Sequence, residues 1–237
     1  MKELDWQVFW ASYRTIEMND EKDLFIQVGK TVNKEPVSET IFMLMLEDIV
    51  LKLNLSKPDV LLELCCGNGL LTKPLSEFSA FVYAFDFTNH LIETAKQFKQ
   101  KENIIYKKGD AKTDFFALFN FQKAPNKYLM NDSLGYFSPK DLEEIIKRII
   151  SKSAEFKFYI TGIPSDGLKW NFYNTAERKA TYLKGIKERD LSNNGMGRWW
   201  LEGEFETIAQ KFNLRVTLSN QPAAISNYRM NVLFEKE

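Results

Sequence analysis

Asp59-Val60-Leu61-Leu62-Glu63-Leu64-Cys65-Cys66-Gly67-Asn68-Gly69-Leu70 is the stretch on which the fold turns. Pro58 breaks the chain ahead of it, and residues 59–64 are a short, mostly apolar run of the kind that suits a parallel strand buried on both faces. A loop with Gly67 and Gly69 follows, then a short helix interrupted near Pro74. A strand emptying through a glycine loop into a helix opens an open α/β sheet, whose ligands gather at the carboxyl ends of the strands.

The same alternation continues outward from this unit. Residues 80–85 form the next strand, and Thr88 caps a helix with the stripe Leu91, Ile92, Ala95 and Phe98. A third strand, 103–107, ends at Gly109-Asp110, and a fourth, 127–130, ends at Asn131-Asp132. Ser138 and Pro139 open a helix carrying Leu142, Ile145, Ile146, Ile149 and Ile150 on one face, and a fifth strand spans 156–161. Upstream, Ser38 caps a helix over 38–54, where Phe42, Met45, Leu46, Ile49, Val50 and Leu53 share a face. Residues 165–200, polar and aromatic, interrupt the rhythm, with a helix expected around 171–187. A helix with Phe205, Ile208, Ala209 and Phe212 then stops at Asn213. Strands 214–218 and 228–234 are joined too closely for a crossover helix and are therefore antiparallel. The expectation is one α/β domain over 1–237: a helical cap and loop (1–55), a cofactor-binding core (56–163), a substrate-covering insertion (164–201), and a terminal helix and β-hairpin (202–237).

Thirty-two basic and thirty-two acidic residues cancel, which removes the global field that attracts nucleic acid. The two cysteines, Cys65 and Cys66, are adjacent, and with a single histidine they make neither an ordinary disulfide nor a zinc site, so no metal is expected. The amino terminus lacks a basic segment followed by an apolar one, and no run is long and apolar enough to span a membrane. A reduced, cytoplasmic protein is expected, acting on a small molecule, with neither nucleic acid nor membrane as partner.

Acids stand at three successive strand ends: Glu63, Asp86 and Asp110. A dinucleotide would bring its pyrophosphate to the glycine loop, where Glu63 repels it, and the loop lacks the third glycine of a dinucleotide site. S-adenosylmethionine brings an ammonium and a sulfonium, which Glu63 favours. Asp86 can accept both ribose hydroxyls, Phe87 offers adenine a flat face, and Asp110 with the Ala111 N–H can read the adenine edge.

Residues 59–72, with Phe85-Asp86-Phe87, Gly109-Asp110-Ala111 and Met130-Asn131-Asp132-Ser133, resemble the motif series of class I S-adenosylmethionine-dependent methyltransferases. That resemblance implies a Rossmann-like, seven-stranded, mostly parallel sheet of order 3-2-1-4-5-7-6, with strand 7 antiparallel. It also implies that Cys65, Gly67 and Gly69 form the cofactor loop, with Cys65 standing where the family has its first glycine. Gln27-Val28-Gly29-Lys30-Thr31-Val32-Asn33 and Trp170-Asn171-Phe172-Tyr173-Asn174-Thr175 are similar to methyltransferases of bacterial surface-polysaccharide biosynthesis. On that likeness the amino-terminal loop folds over the methionine end of the cofactor, Lys30 pairs with its carboxylate, and Tyr13 and Gln27 lie nearby.

Methyl transfer from a sulfonium needs alignment, exclusion of water and, for a hydroxyl acceptor, removal of a proton. Asp132 is the candidate base, with Tyr136 on the same loop, while Asn131 is expected to accept from the methionine ammonium. His90, in the first turn after Asp86, is expected near adenine and away from the chemistry. Asn131-Asp132-Ser133-Leu134 lacks the paired prolines and aromatic of nucleic-acid amino-methylating enzymes, which favours an O-methyl acceptor. Phe172, Tyr173, Asn174, Arg178, Arg198 and Trp200 are the candidate acceptor residues, suited to a sugar carrying a phosphate or carboxylate. Three other readings stay open: a non-catalytic cofactor-binding partner protein, a nucleotide-dependent oxidoreductase on the same sheet, and an RNA or protein methyltransferase, the last weakened by the neutral charge and small size.

Overall fold

The computed structural model describes residues 4–13, 18, 20–188, 190 and 196–237, so the extreme amino terminus and residues 191–195 of the insertion lie outside the described residues. Two short helices, α1 (Trp6–Ser12) and α2 (Glu21–Gln27), precede a small hairpin, β1 (Thr31–Val32) and β2 (Glu35–Pro36), and the long helix α3 (Glu39–Leu53). Asn33 and Lys34 both take positive φ, 51° and 72°, as a two-residue hairpin turn requires. Ser38 caps α3 by accepting from the Ile41 N–H, and Asn54 ends it in the left-handed region.

The alternating core follows as β3 (Val60–Leu64), α4 (Thr72–Leu75), β4 (Phe81–Asp86), α5 (Asn89–Phe98), β5 (Ile104–Lys108), β6 (Lys127–Asn131), α6 (Pro139–Lys152) and β7 (Phe156–Pro164). The insertion carries α7 (Lys169–Phe172) and α8 (Ala176–Glu188), and the chain closes with α9 (Glu202–Phe212), β8 (Arg215–Asn220) and β9 (Arg229–Lys236). The single helix expected over 171–187 is thus two, parted at Tyr173-Asn174-Thr175, where Thr175 Oγ1 accepts from the Arg178 N–H and starts a new helix.

The main sheet has the order β5-β4-β3-β6-β7-β9-β8. β9 runs antiparallel to both neighbours and the remaining pairs are parallel, which is the 3-2-1-4-5-7-6 arrangement of a Rossmann-like methyltransferase fold. Every residue of β3 is buried, because helices cover both faces. Val60, Leu62 and Leu64 pack toward one core with α6 and α9, while Leu61 packs toward a second core formed with α3, α4 and α5. The pairing of β7 with β9 slips between Ile160 and Ile163, around Gly162 at φ 74°. That bulge bends the strand ends next to the site described below.

Candidate active site

A cavity of about 530 Å³ opens at the carboxyl ends of the central strands. Of the residues expected there, Tyr13, Lys30, Glu63, Cys65, Gly67, Asp86, Phe87, Asp110, Ala111, Asn131, Asp132 and Tyr136 line it; Gln27 and Gly69 do not.

The glycine loop shapes its floor. Cys65, Gly67 and Gly69 take φ of 58°, 56° and 76°, so Cys65 holds a left-handed conformation that costs a residue with a Cβ about 1–2 kcal/mol. A Cβ at position 67 would come within 3.1 Å of Val28 Cγ1, and one at position 69 within 2.5 Å of the Tyr106 hydroxyl oxygen. Gly69 is therefore required for packing on Tyr106. Gln27 is a buried strut: its amide donates to Thr94 Oγ1 at 3.3 Å and accepts from Asn68 Nδ2 at 2.8 Å. Asn68 Nδ2 also donates to the Leu24 carbonyl, so the loop grips the end of α2 and delivers Val28-Gly29-Lys30 to the cavity.

The three acids sit differently. Glu63 is 2% exposed and accepts from the Thr72 hydroxyl at 2.6 Å. Burial pushes its carboxyl up to about 7, with the Thr72 hydrogen bond opposing and Asp86 adding to the rise. Asp86 accepts from the Thr88 N–H at 2.8 Å and the Gly67 N–H at 3.1 Å, which ties the second strand to the glycine loop. Burial raises its carboxyl above the usual range despite those bonds. Asp110 accepts from the Lys112 N–H at 2.8 Å and, from across the cavity, from Gln7 Nε2 at 3.0 Å. All three retain lone pairs for ligand donors.

At the opposite end, Asp132 lies between two cations. Lys30 Nζ is bonded to Oδ2, and Arg229 Nη1 donates to Oδ1 at 2.6 Å and to the Gly162 carbonyl at 2.7 Å. Gly162 makes room for this: a Cβ there would lie 1.8 Å from Asp132 Oδ1. Burial works against the Asp132 carboxylate, but Lys30 and Arg229 hold it below the ordinary aspartate range. A carboxylate so stabilised is a weaker proton acceptor than an ordinary aspartate, and burial pushes the Tyr136 phenol up to about 12. Lys30, expected on the cofactor carboxylate, is here the partner of Asp132.

Asn131 Nδ2 donates to Asp132 at 3.4 Å, while Asn131 Oδ1 is buried with no hydrogen-bond partner among the described residues. An orphaned buried acceptor beside a lining of carboxylates fits a ligand rich in donors and positive charge, as S-adenosylmethionine is. His90 does not line the cavity; burial lowers its pKa, and its Nε2 has no partner among the described residues.

None of Phe172, Tyr173, Asn174, Arg178, Arg198 and Trp200 lines the cavity. Phe172 packs on Tyr173, Trp199 and Tyr228 with Arg178 over its ring, and Arg198 pairs with Glu204. Trp200 is fully buried against Phe205, and its indole N–H donates to the Leu134 carbonyl at 3.1 Å. Phe172, Arg198 and Trp200 thus join the insertion to Tyr228, to α9 and to the Leu134 carbonyl. The cavity wall comes instead from α1, whose Trp6, Phe9 and Trp10 line it, with Trp6 4.3 Å from Tyr136 between ring centroids. Asp5 caps that helix by accepting from the Gln7 and Val8 N–H groups. Clustering of Trp6, Phe9, Trp10 and Tyr13 on a capped helix was the available signal for this wall. Arg229 carried none, since a strand-end arginine is placed only by the order of the sheet.

Residues 61–152 match the methyltransferase domain family. A probable cobalt-precorrin-6B C(15)-methyltransferase (decarboxylating) of Methanococcus maripaludis is 27% identical over 158 residues, which cover 60% of this chain and 82% of that protein. The structure of magnesium protoporphyrin IX methyltransferase from Synechocystis PCC 6803 with bound SAH superposes with a TM-score of 0.59 at 15% identity, covering 98% of this chain and 94% of that one. A putative O-methyltransferase from Nostoc punctiforme PCC 73102 gives 0.60 at 14% identity, covering 90% of this chain and 60% of that one. Residues 61–152 therefore carry a methyltransferase domain, set on a Rossmann-like methyltransferase fold. Among the described residues no helix is long and apolar enough to cross a membrane.

Proposed function

We propose that this chain transfers the methyl group of S-adenosylmethionine to an oxygen of a small polar acceptor, such as a sugar or a nucleotide-linked saccharide. The observation that carries the cofactor half of the reading is the cluster of acceptors at one end of the cavity: Glu63, Asp86, Asp110 and the orphaned Asn131 Oδ1. Glu63 and Asn131 would face the methionine end, Asp86 the ribose, and Asp110 with the Ala111 N–H the adenine edge. The bound cofactor supplies a methyl carbon activated by the adjacent sulfonium. The protein's own part is to align an acceptor with that carbon and exclude water, worth on the order of 7–11 kcal/mol when the geometry is right.

The small acceptor is supported by volume. About 530 Å³ is the size of a single-ligand site. The ring faces of Trp6, Trp10, Tyr13 and Tyr136 suit the apolar face of a sugar or a flat ring. Asp132 serves here as the counter-charge fixing Lys30 and Arg229, and Tyr136 as a wall against α1.

Isothermal titration with S-adenosylhomocysteine, beside NADH, tests the cofactor assignment. Micromolar binding of the homocysteine product, weakened by about 1–3 kcal/mol in Asp86→Ala, is expected. Binding of NADH alone would return the chain to the oxidoreductase class. Transfer of labelled methyl to nucleotide-linked sugars then tests the acceptor.

A further inference from the structure

The acceptor end of the cavity has two cations around one carboxylate, and among the described residues that carboxylate and Tyr136 are its candidate proton acceptors. Lys30 and Arg229 both bond Asp132, and all three line the cavity with side-chain exposures of 11%, 21% and 28%. The corner therefore carries one positive charge more than it neutralises, in a place where water screens poorly. A recess of about 20 Å³, room for roughly one water-sized group, continues from the cavity between Arg229, Tyr136, Gly135 and Met196. Its charged lining is Arg229 and Asp132, both reached from the main cavity.

Resting on the methyltransferase reading, we propose that the acceptor is a carboxylate: its oxygen enters already ionised, seats against Arg229 beside Tyr136, and leaves as a methyl ester. One carboxylate oxygen bonds the methyl carbon while the carbon–sulfur bond breaks and its electron pair stays on sulfur. The products are an ester and S-adenosylhomocysteine, and no proton has to leave. A neutral hydroxyl would need a base, and the Asp132 carboxylate is weakened for that role by Lys30 and Arg229. Burial also works against the Lys30 ammonium, a cost that a second anion nearby relieves. Arg229 is thus the specificity-determining residue, chosen by the sheet order that sets β9 beside the β7 bulge.

The test uses the full chain saturated with S-adenosylhomocysteine and titrates in benzoate, 1-naphthoate and indole-3-acetate, each beside its primary amide. The acids should bind at least about tenfold more tightly than the amides. Arg229→Gln should abolish that preference while changing the affinity for S-adenosylhomocysteine by less than roughly twofold, and Arg229→Lys should retain part of it. Amides binding as well as acids, or no acid binding, would overturn the proposal. So would Arg229→Gln weakening the homocysteine product as much as the acids, since that would give the guanidinium to the cofactor's own carboxylate. Should Arg229→Gln not fold, the acid-to-amide ratio of the wild type decides alone. Failure of the wild type to bind S-adenosylhomocysteine at all is a separate result, and it removes the cofactor reading beneath the proposal.

Discussion

Replacing Glu63 by glutamine should stabilise the ligand-free protein at alkaline pH and leave it unchanged in acid. The side chain is 2% exposed and accepts from the Thr72 hydroxyl, a bond that a glutamine oxygen can also accept. Burial lifts the carboxyl from an ordinary 4.5 to about 7. Between those values the folded protein holds a proton that the unfolded chain has released, so stability falls as pH rises. Below about 4.5 both states are protonated and nothing is lost; above about 7 both are ionised and the full cost applies. The interval corresponds to about 3 kcal/mol. Urea unfolding near pH 5 and pH 8 should therefore show a variant-minus-wild-type gap that opens toward about 3 kcal/mol, or roughly 6–12 °C in melting temperature for a chain of this size. Saturating S-adenosylmethionine should narrow the gap, because a bound cation compensates the ionised Glu63 carboxylate and does nothing comparable for the neutral amide of the variant. A gap that is the same at both pH values would refute the claim that an uncompensated carboxylate is buried under the glycine loop.

Trp200→Phe should cost about 1–3 kcal/mol by leaving the Leu134 carbonyl without its donor, and should leave affinity for S-adenosylhomocysteine unchanged. Weaker acceptor binding with unchanged stability would instead restore Trp200 to the acceptor site expected from the sequence. Gly162→Ala should destabilise by about 2–5 kcal/mol, combining a left-handed backbone with displacement of the Asp132 carboxylate from Arg229. Thermal melts check it; a variant as stable as wild type would mean that the bulge tolerates a Cβ and that the charged corner is not built on that glycine.

The succession of strands along the chain and the location of the cofactor end were legible because both depend on local features, whereas the order within the sheet came from the family resemblance. Strands β3 to β6 each announce themselves by a short apolar run, and Glu63, Asp86 and Asp110 stand at the ends of β3, β4 and β5 or just beyond, where strand direction alone brings them to one edge. Helix ends were equally local: Ser38, Ser138 and Asn213 terminate their helices in the way their side chains or backbone preferences dictate. Polar roles were less legible, since Gln27 spends its amide on Asn68 and Thr94, contacts made across 41 and 67 residues.

What only the tertiary structure decided is the acceptor end. Aromatics at 172, 173 and 200 could cover a substrate or pack an insertion, and composition is the same in either case; the structure places Trp200 fully buried against Phe205 and sets none of the three in the cavity lining. The wall fell instead to α1, more than a hundred residues away in sequence from Tyr136, on which its Trp6 rests. Arg229 meets Asp132 because β9 inserts antiparallel between β7 and β8 and because Gly162 leaves the space for their contact. Local sequence encodes which segment forms which element, since propensity and periodicity act over a few residues. Which charges face each other depends on long-range pairing, and it existed only once the sheet had closed.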